Sequence, residues 1–149
     1  MGIHTGEEGP RSEGRKGEVV RFGYTIAYVE DPERTAAFWE EAFGLKRRFV
    51  DESSQYVEME AGATTLAFAS NQLGESNLPG GFRKNSSEEL PAGVEIALVA
   101  EDVEGAFRSA LEAGATGVAD PKTKPWEQTV AYVRDPDGVL VEIGDEVTG

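Results

Sequence analysis

The alternation of apolar and polar positions along the chain predicts the same series of elements twice. In each copy an apolar strand is followed by a helix and then by three short strands. The first helix is predicted to begin after Asp31, a suitable N-cap, and to end at Gly44, and the second runs from Asp102 to Gly114. The capping aspartates lie 71 positions apart and the glycines 70. Because two independent sets of start and stop signals agree, the pattern predicts a duplicated βαβββ unit.

The two predicted modules cover residues 21–70 and 94–145 of a single domain, 21–149. The linker between them, 71–93, is rich in turn residues and has no sustained period, so it is predicted to be a long irregular connection. Phe82 and Arg83 follow two glycines in its middle. They either form a lid over a site or belong to a segment that simply joins the modules.

Bulk properties exclude several classes of protein. Residues 1–20 lack an apolar signal region and are predicted to form a disordered tail, and no apolar run is long enough to span a bilayer. A cytoplasmic protein with no membrane partner is therefore expected. The formal net charge of −14 argues against a nucleic-acid partner. The acidic surface either keeps the protein soluble or attracts a cationic ligand.

The clearest local pattern is a C-terminal hairpin. Asp135-Pro136-Asp137-Gly138 has the residues of a type I turn, and a left-handed Gly138 would pair Asp135 with Val139. Counting back along both strands sets Tyr132 opposite Glu142. Glu142 is the only carboxylate within the strand V-L-V-E-I, and a buried carboxylate requires a partner, a ligand or a proton.

The segments Y-T-I-A-Y-V-E-D-P-E-R-T-A-A-F-W-E-E-A-F-G-L, E-I-A-L-V-A-E-D-V-E-G-A-F and Y-V-R-D-P-D-G-V-L-V-E-I resemble the vicinal oxygen chelate superfamily. This superfamily includes glyoxalase I, extradiol dioxygenases, and fosfomycin- and bleomycin-resistance proteins. The resemblance implies an α+β fold in which two tandem βαβββ modules form an open, cup-shaped β-sheet with helices on the outside. It also implies a ligand in the cup and a homodimer whose cups combine modules from both chains.

The resemblance also indicates where a metal would bind. Members that use a metal take ligands, mostly His and Glu, from the first and last strand of each module. The matching positions here are Tyr24, Ala67, Glu95 and Glu142, and only Glu142 fits the usual pattern. Because the one histidine of the chain is His4, in the tail, no metal cofactor is expected. The alternative is that Glu95 and Glu142 hold Mg²⁺ or Mn²⁺ with water completing the shell.

The loop from Lys124 to Gln128 resembles the Pro-Trp-Gly loop of bleomycin-resistance proteins, with Glu127 in place of the glycine. Trp126 is expected either to line the cavity or to cap the end of the barrel. The predicted ligand-binding residues are Tyr24, Phe82, Glu95, Trp126, Gln128, Tyr132 and Glu142.

Three interpretations follow for the cup. In the first, a metal-free cup sequesters a small cationic or aromatic molecule. In the second, the chain is a lyase, isomerase or epimerase with Glu142 as general base and Glu95 or Tyr24 as partner. In the third, the carboxylates pair with Arg134 or Arg83 and the cup has no ligand.

Overall fold

The computed structural model describes residues 19–147, so all but the last two residues of the predicted tail lie outside the described part. Two βαβββ modules are present, as predicted, and a short helix lies in the linker between them. The elements are β1 (Tyr24–Val29), α1 (Pro32–Phe43), β2 (Lys46–Val50), β3 (Tyr56–Glu60), β4 (Thr65–Ser70), α2 (Asn71–Asn77), β5 (Glu95–Val99), α3 (Val103–Ala113), β6 (Thr116–Thr123), β7 (Thr129–Arg134) and β8 (Leu140–Gly144).

Each module forms an open four-stranded sheet of the same topology. The strand orders are β1-β4-β3-β2 and β5-β8-β7-β6, with the first and last strand of each module parallel and the other pairs antiparallel. The predicted α+β fold class is therefore confirmed. No helix within 19–147 is long and apolar enough to cross a membrane.

The predicted helix boundaries are confirmed by the cap geometry. The Asp31 carboxylate accepts hydrogen bonds from the backbone N–H groups of Glu33 and Arg34, and that of Asp102 accepts from the N–H of Gly105. Gly44 and Gly114 end the helices in the left-handed conformation, with φ of 74° and 119°. Such φ values favour glycine, which has no Cβ to clash with the backbone.

One hydrophobic core joins the two modules. Helix α1 packs against α3, and the apolar side chains on the helix-facing side of both sheets belong to the same buried cluster as Trp39 and Phe107. Trp39 is fully buried. Because one face of each sheet lies in this shared core, the opposite face of each sheet points away from it. We call this opposite face the outer face of the sheet.

The hairpin turn also fastens the modules together. The register is the predicted one: the Asp135 N–H donates to Val139 O, and Gly138 is left-handed with φ 94°. Asp135 is only 1% exposed, and Trp39 Nε1 in α1 donates to its Oδ2 at 3.0 Å. Beside it, Thr35 Oγ1 donates to Asp137 Oδ2 at 2.6 Å. We call Thr35, Trp39, Asp135 and Asp137 the inter-module clasp.

The prediction of a linker without regular structure was wrong at its start. The Ser70 hydroxyl accepts from the N–H of Leu73 and so caps helix α2. Hydrogen bonds to the two modules help hold the rest of the linker: Asn85 Nδ2 donates to Tyr28 O, and Arg134 Nη2 donates to Ser86 O. Strand β6 continues through the proline at position 121, which an edge strand tolerates.

Candidate functional site

The predicted carboxylates lie together on the outer face of the second sheet. Alternate residues of a strand share a face, and the register sets Glu142 beside Ala97 on one side and Tyr132 on the other. Glu95 is two residues before Ala97, on the same face. The face carries Glu95, Ala97 and Val99 from β5, Glu142 and Gly144 from β8, and Tyr132 and Arg134 from β7.

The carboxyl groups of Glu95 and Glu142 influence each other. Protein atoms displace part of the water around the exposed Glu95, and the adjacent Glu142 carboxyl adds a hydrogen bond and repulsion, so the pKa of Glu95 is raised. Tyr132 Oη donates to Glu142 Oε1 at 3.1 Å, while burial and this anion raise the pKa of the Tyr132 hydroxyl. Glu142 is half-buried, less than its apolar neighbours in sequence suggest, and it has Tyr132 as a hydrogen-bond partner. The reason is that the second sheet leaves its outer face open.

Arg134 does not neutralise this pair. Its Nε donates to Gly138 O at 3.0 Å and its Nη2 to Ser86 O at 2.9 Å, so the guanidinium is directed toward backbone carbonyls of the turn and the linker. Within residues 19–147, neither Glu95 nor Glu142 forms an ion pair with Arg134 or Arg83. The structure therefore contradicts the interpretation in which these arginines occupy the carboxylates.

Trp126 and Gln128 lie just before β7, at one end of this outer face. The Trp126 side chain is 56% exposed, and its Nε1 donates to Gln128 Oε1 at 2.8 Å. A Cβ placed on Gly144 would lie 3.2 Å from Gln128 Nε2 and 3.4 Å from Glu142 Oε2. Gln128 and Glu142 thus flank the same glycine, whose missing side chain lets both approach the strand.

The other two predicted ligand contacts lie at the first sheet: Tyr24 in β1, and Phe82 in the linker that packs against it. Tyr24 is half-exposed on the edge strand β1, in the position that corresponds to Glu95. The Phe82 ring lies 4.9 Å from the Tyr28 ring and packs on Gly74 of α2. Phe82 therefore covers the first sheet, and the structure does not bring it together with the carboxylate pair of its own chain.

The outer face of the first sheet is filled, and it carries a polar group that sequence reasoning missed. Tyr56 is buried against Ala67 and Ala69, and its hydroxyl donates to Glu58 Oε2 at 2.7 Å. Arg48 donates to Glu58 Oε1 at 3.0 Å. Glu58 lies opposite Ala67, as Tyr132 lies opposite Glu142 in the second module. The alternation Tyr56, Glu58, Glu60 in the sequence was the available signal for this acid.

The donor set fits a resident metal poorly. Among the described residues, no three His, Cys, Asp or Glu side chains converge as metal ligands. Two carboxylates alone suit only a hard ion that keeps most of its bound water. Transition metals prefer imidazole nitrogen or thiolate sulfur as ligands. No chemical step is therefore assigned to a metal.

Comparisons with known proteins agree with this fold. The model of the Glyoxalase/Bleomycin resistance protein/Dioxygenase superfamily matches residues 21–143, and the chain belongs to this superfamily. No curated protein matches the chain significantly.

Solved structures are similar in fold at low sequence identity. A glyoxalase-related enzyme from Fulvimarina pelagi superposes with a TM-score of 0.72 at 21% identity, covering 86% of this chain and 89% of that one. Hypothetical protein SA1046 from S. aureus gives 0.71 at 22%, covering 87% and 96%. A glyoxalase/bleomycin resistance protein/dioxygenase family enzyme from Burkholderia phytofirmans PsJN gives 0.68 at 20%, covering 85% and 98%. At these identities the likeness concerns the fold alone.

Proposed function

We propose that this protein binds a small organic cation with an aromatic or apolar part on the outer face of its second sheet. One observation carries the proposal: Glu95 and Glu142 are diagonal neighbours on adjacent strands of this face, and the nearby Arg134 is engaged elsewhere. Two adjacent carboxyl groups without a counter-charge favour a positively charged partner.

The surroundings of the pair supply the apolar contacts for such a ligand. Ala97 is exposed and Val99 is 68% exposed on the edge strand β5, so both leave apolar surface open to a ligand. Tyr132 and Trp126 add aromatic surface, on which cations and flat rings bind favourably. The net charge of −14 further raises the local concentration of cations around the protein.

We propose that a second copy of the chain completes the site, in a homodimer. Edge strands normally carry features that prevent pairing with a strand of another molecule. Strands β2 and β6 both have register shifts; β2 also carries three basic residues, and β6 contains a proline. The other two edge strands, β1 and β5, show no register shift and have Glu95 as their only charged residue. The exposed Tyr24 and Val99 make these two edges suitable for contact with another copy.

Calorimetric titration with benzyltrimethylammonium chloride tests the binding proposal. The wild-type protein is expected to bind this probe, and Glu142→Gln is expected to weaken binding roughly tenfold, which corresponds to about 1.4 kcal/mol. Glu112→Gln removes the same charge from an exposed position on α3 and is the matched control. Equal loss in both variants would show that only the overall charge matters, and no binding by the wild type at millimolar probe would refute the proposal for this class of cation.

Light scattering coupled to gel filtration tests the dimer. Val99→Lys places a charge on the unprotected edge strand β5 and is expected to give monomers. Val118→Lys makes the same change at an exposed valine of the protected strand β6 and is expected to leave the dimer intact. A wild-type monomer at tens of micromolar protein, or equal behaviour of the two variants, would contradict the proposed interface.

A second candidate function is a lyase, isomerase or epimerase with Glu142 as general base and Glu95 as acid. The raised pKa of Glu95 favours it, because a carboxyl group that releases its proton less readily is better suited to act as an acid. Titration with Mn²⁺, Ni²⁺ and Zn²⁺ separates the candidates. Stoichiometric metal binding that disappears in Glu142→Gln would favour the enzyme, and no metal binding at millimolar concentration would favour the metal-free binding site.

A further inference from the structure

The side-chain amide of Gln128 forms hydrogen bonds with two other groups of the protein. Its Oε1 accepts from Trp126 Nε1 at 2.8 Å, and its Nε2 donates to the backbone carbonyl of Asp145 at 2.9 Å. These bonds require the oxygen to point toward the indole and the nitrogen toward the carbonyl, so the orientation of the amide is determined by its partners. Both polar atoms of the amide therefore have a partner within the protein, and the amide keeps one lone pair and one N–H.

The backbone around Gln128 is equally fixed. The Lys124 N–H donates to Gln128 O at 2.8 Å, and the Glu127 N–H donates to Lys124 O at 2.7 Å. On the other side, the Thr129 N–H donates to Asp145 Oδ1 at 2.9 Å. The side chain of Gln128 thus connects a tight turn to the end of β8, next to Gly144 and Glu142.

The hydrogen bond to Gln128 restricts the side chain of Trp126. An indole that is 56% exposed would ordinarily sample several rotamers, and a side chain that becomes ordered on binding costs about 0.5–1.5 kcal/mol of affinity. The hydrogen bond to Gln128 restricts the indole beforehand and occupies its only donor. What remains for a ligand is the ring itself, a surface suited to cation–π and stacking contacts.

We infer that Gln128 is a positioning residue: it holds the Trp126 ring on the outer-face side of the second sheet, at the end near Gly144, and makes no contact with the ligand itself. The part of this inference that concerns the ligand rests on the proposed function. The orientation of Trp126 is independent of it and is measured separately.

Acrylamide quenching of tryptophan fluorescence measures that orientation without any ligand. Trp39 is fully buried, so the accessible emission comes from Trp126, and Trp126→Phe supplies the background. Gln128→Leu is expected to increase quenching of Trp126 and to lower its fluorescence anisotropy, and Gln128→Met is a second variant without an amide. Unchanged quenching and anisotropy in these variants would overturn the inference.

A double-mutant cycle with benzyltrimethylammonium chloride tests how Gln128 affects binding. Gln128→Leu is expected to weaken binding about twofold to tenfold, the equivalent of freeing one side chain. In the Trp126→Phe background the same change is expected to have no effect, since its target is absent. An equal loss in both backgrounds would show that Gln128 contacts the ligand and would refute the positioning role. If the wild type binds no probe while quenching still responds to Gln128→Leu, the proposed function fails and the positioning of Trp126 stands.

Discussion

Replacing Asp135 with alanine removes the centre of the inter-module clasp. The carboxylate accepts buried hydrogen bonds from Trp39 Nε1 and the Val139 N–H, and a part-buried one from the Asp137 N–H. Hydrogen bonds to a charged acceptor contribute about 1.5–3 kcal/mol each, so three contribute roughly 6 kcal/mol. Burial opposes this, because it raises the pKa of Asp135 from 3.8 to about 6. That rise corresponds to about 3 kcal/mol and is already the net result of burial and these hydrogen bonds. The loss expected for Asp135→Ala therefore comes from the buried donors that lose their acceptor, Trp39 Nε1–H and the Val139 N–H, at about 1–3 kcal/mol each. We expect a total loss of about 3 kcal/mol at pH 7.

The raised pKa also gives the effect a pH dependence with a definite sign. The folded protein holds the Asp135 proton more tightly than the unfolded chain does, so protonation stabilises the fold. This stabilisation is complete below the unfolded pKa of 3.8 and disappears as the pH rises through about 6. The difference between wild type and Asp135→Ala is therefore expected to be about 1 kcal/mol larger at pH 5 than at pH 7.

Urea unfolding followed by circular dichroism at both pH values measures these differences. Asp120→Ala, which truncates an exposed aspartate of β6, is the control and is expected to change the free energy of unfolding by less than about 0.5 kcal/mol. A loss below about 1 kcal/mol for Asp135→Ala, or a loss that is the same at pH 5 and pH 7, would refute the account of the clasp.

Three further predictions concern single features of the structure. Glu127 has a left-handed φ of 69°, so Glu127→Gly is expected to raise the free energy of unfolding by about 0.5–1 kcal/mol in urea titrations, and an unchanged or lower value would count against strain there. At Gly138 an added Cβ would lie 2.5 Å from Ser86 O, so Gly138→Ala is expected to lower the free energy of unfolding by about 2 kcal/mol or more. Gly80→Ala, where nothing lies within 4 Å of the added Cβ, is the control and is expected to lower it much less. The pKa of Glu95 is raised, so its negative charge is lost as the pH drops toward and through that pKa, and the affinity for benzyltrimethylammonium is expected to fall. Calorimetry that finds the same affinity across the acidic range would contradict a role for Glu95.

The features predicted correctly from sequence were those set by short-range chemistry. The Asp-Pro-Asp-Gly turn places Gly138 in the left-handed conformation and so fixes the whole register of the hairpin, including Tyr132 opposite Glu142. The caps at Asp31 and Asp102 likewise depend on backbone N–H groups only two or three residues away.

The features that were missed depend on distant parts of the chain. Asp135 had appeared only as a turn residue, because nothing local shows that Trp39, 96 positions earlier, would donate to it. The role of Glu58 depends on Arg48 reaching it across the bulged pair of β2 and β3. One interpretation of the sequence paired Arg134 with the carboxylates, but the turn and the linker supply Gly138 O and Ser86 O as its partners.

The central claim is that the outer face of the second sheet is the binding site. We would test it by recording ¹H–¹⁵N correlation spectra of the labelled protein during titration with benzyltrimethylammonium chloride. The account predicts that the largest shift changes fall on the backbone amides of Glu95, Glu142 and Gly144 and on the indole N–H of Trp126. Changes concentrated on the outer face of the first sheet around Tyr28 and Phe82, or no changes at millimolar probe, would contradict it.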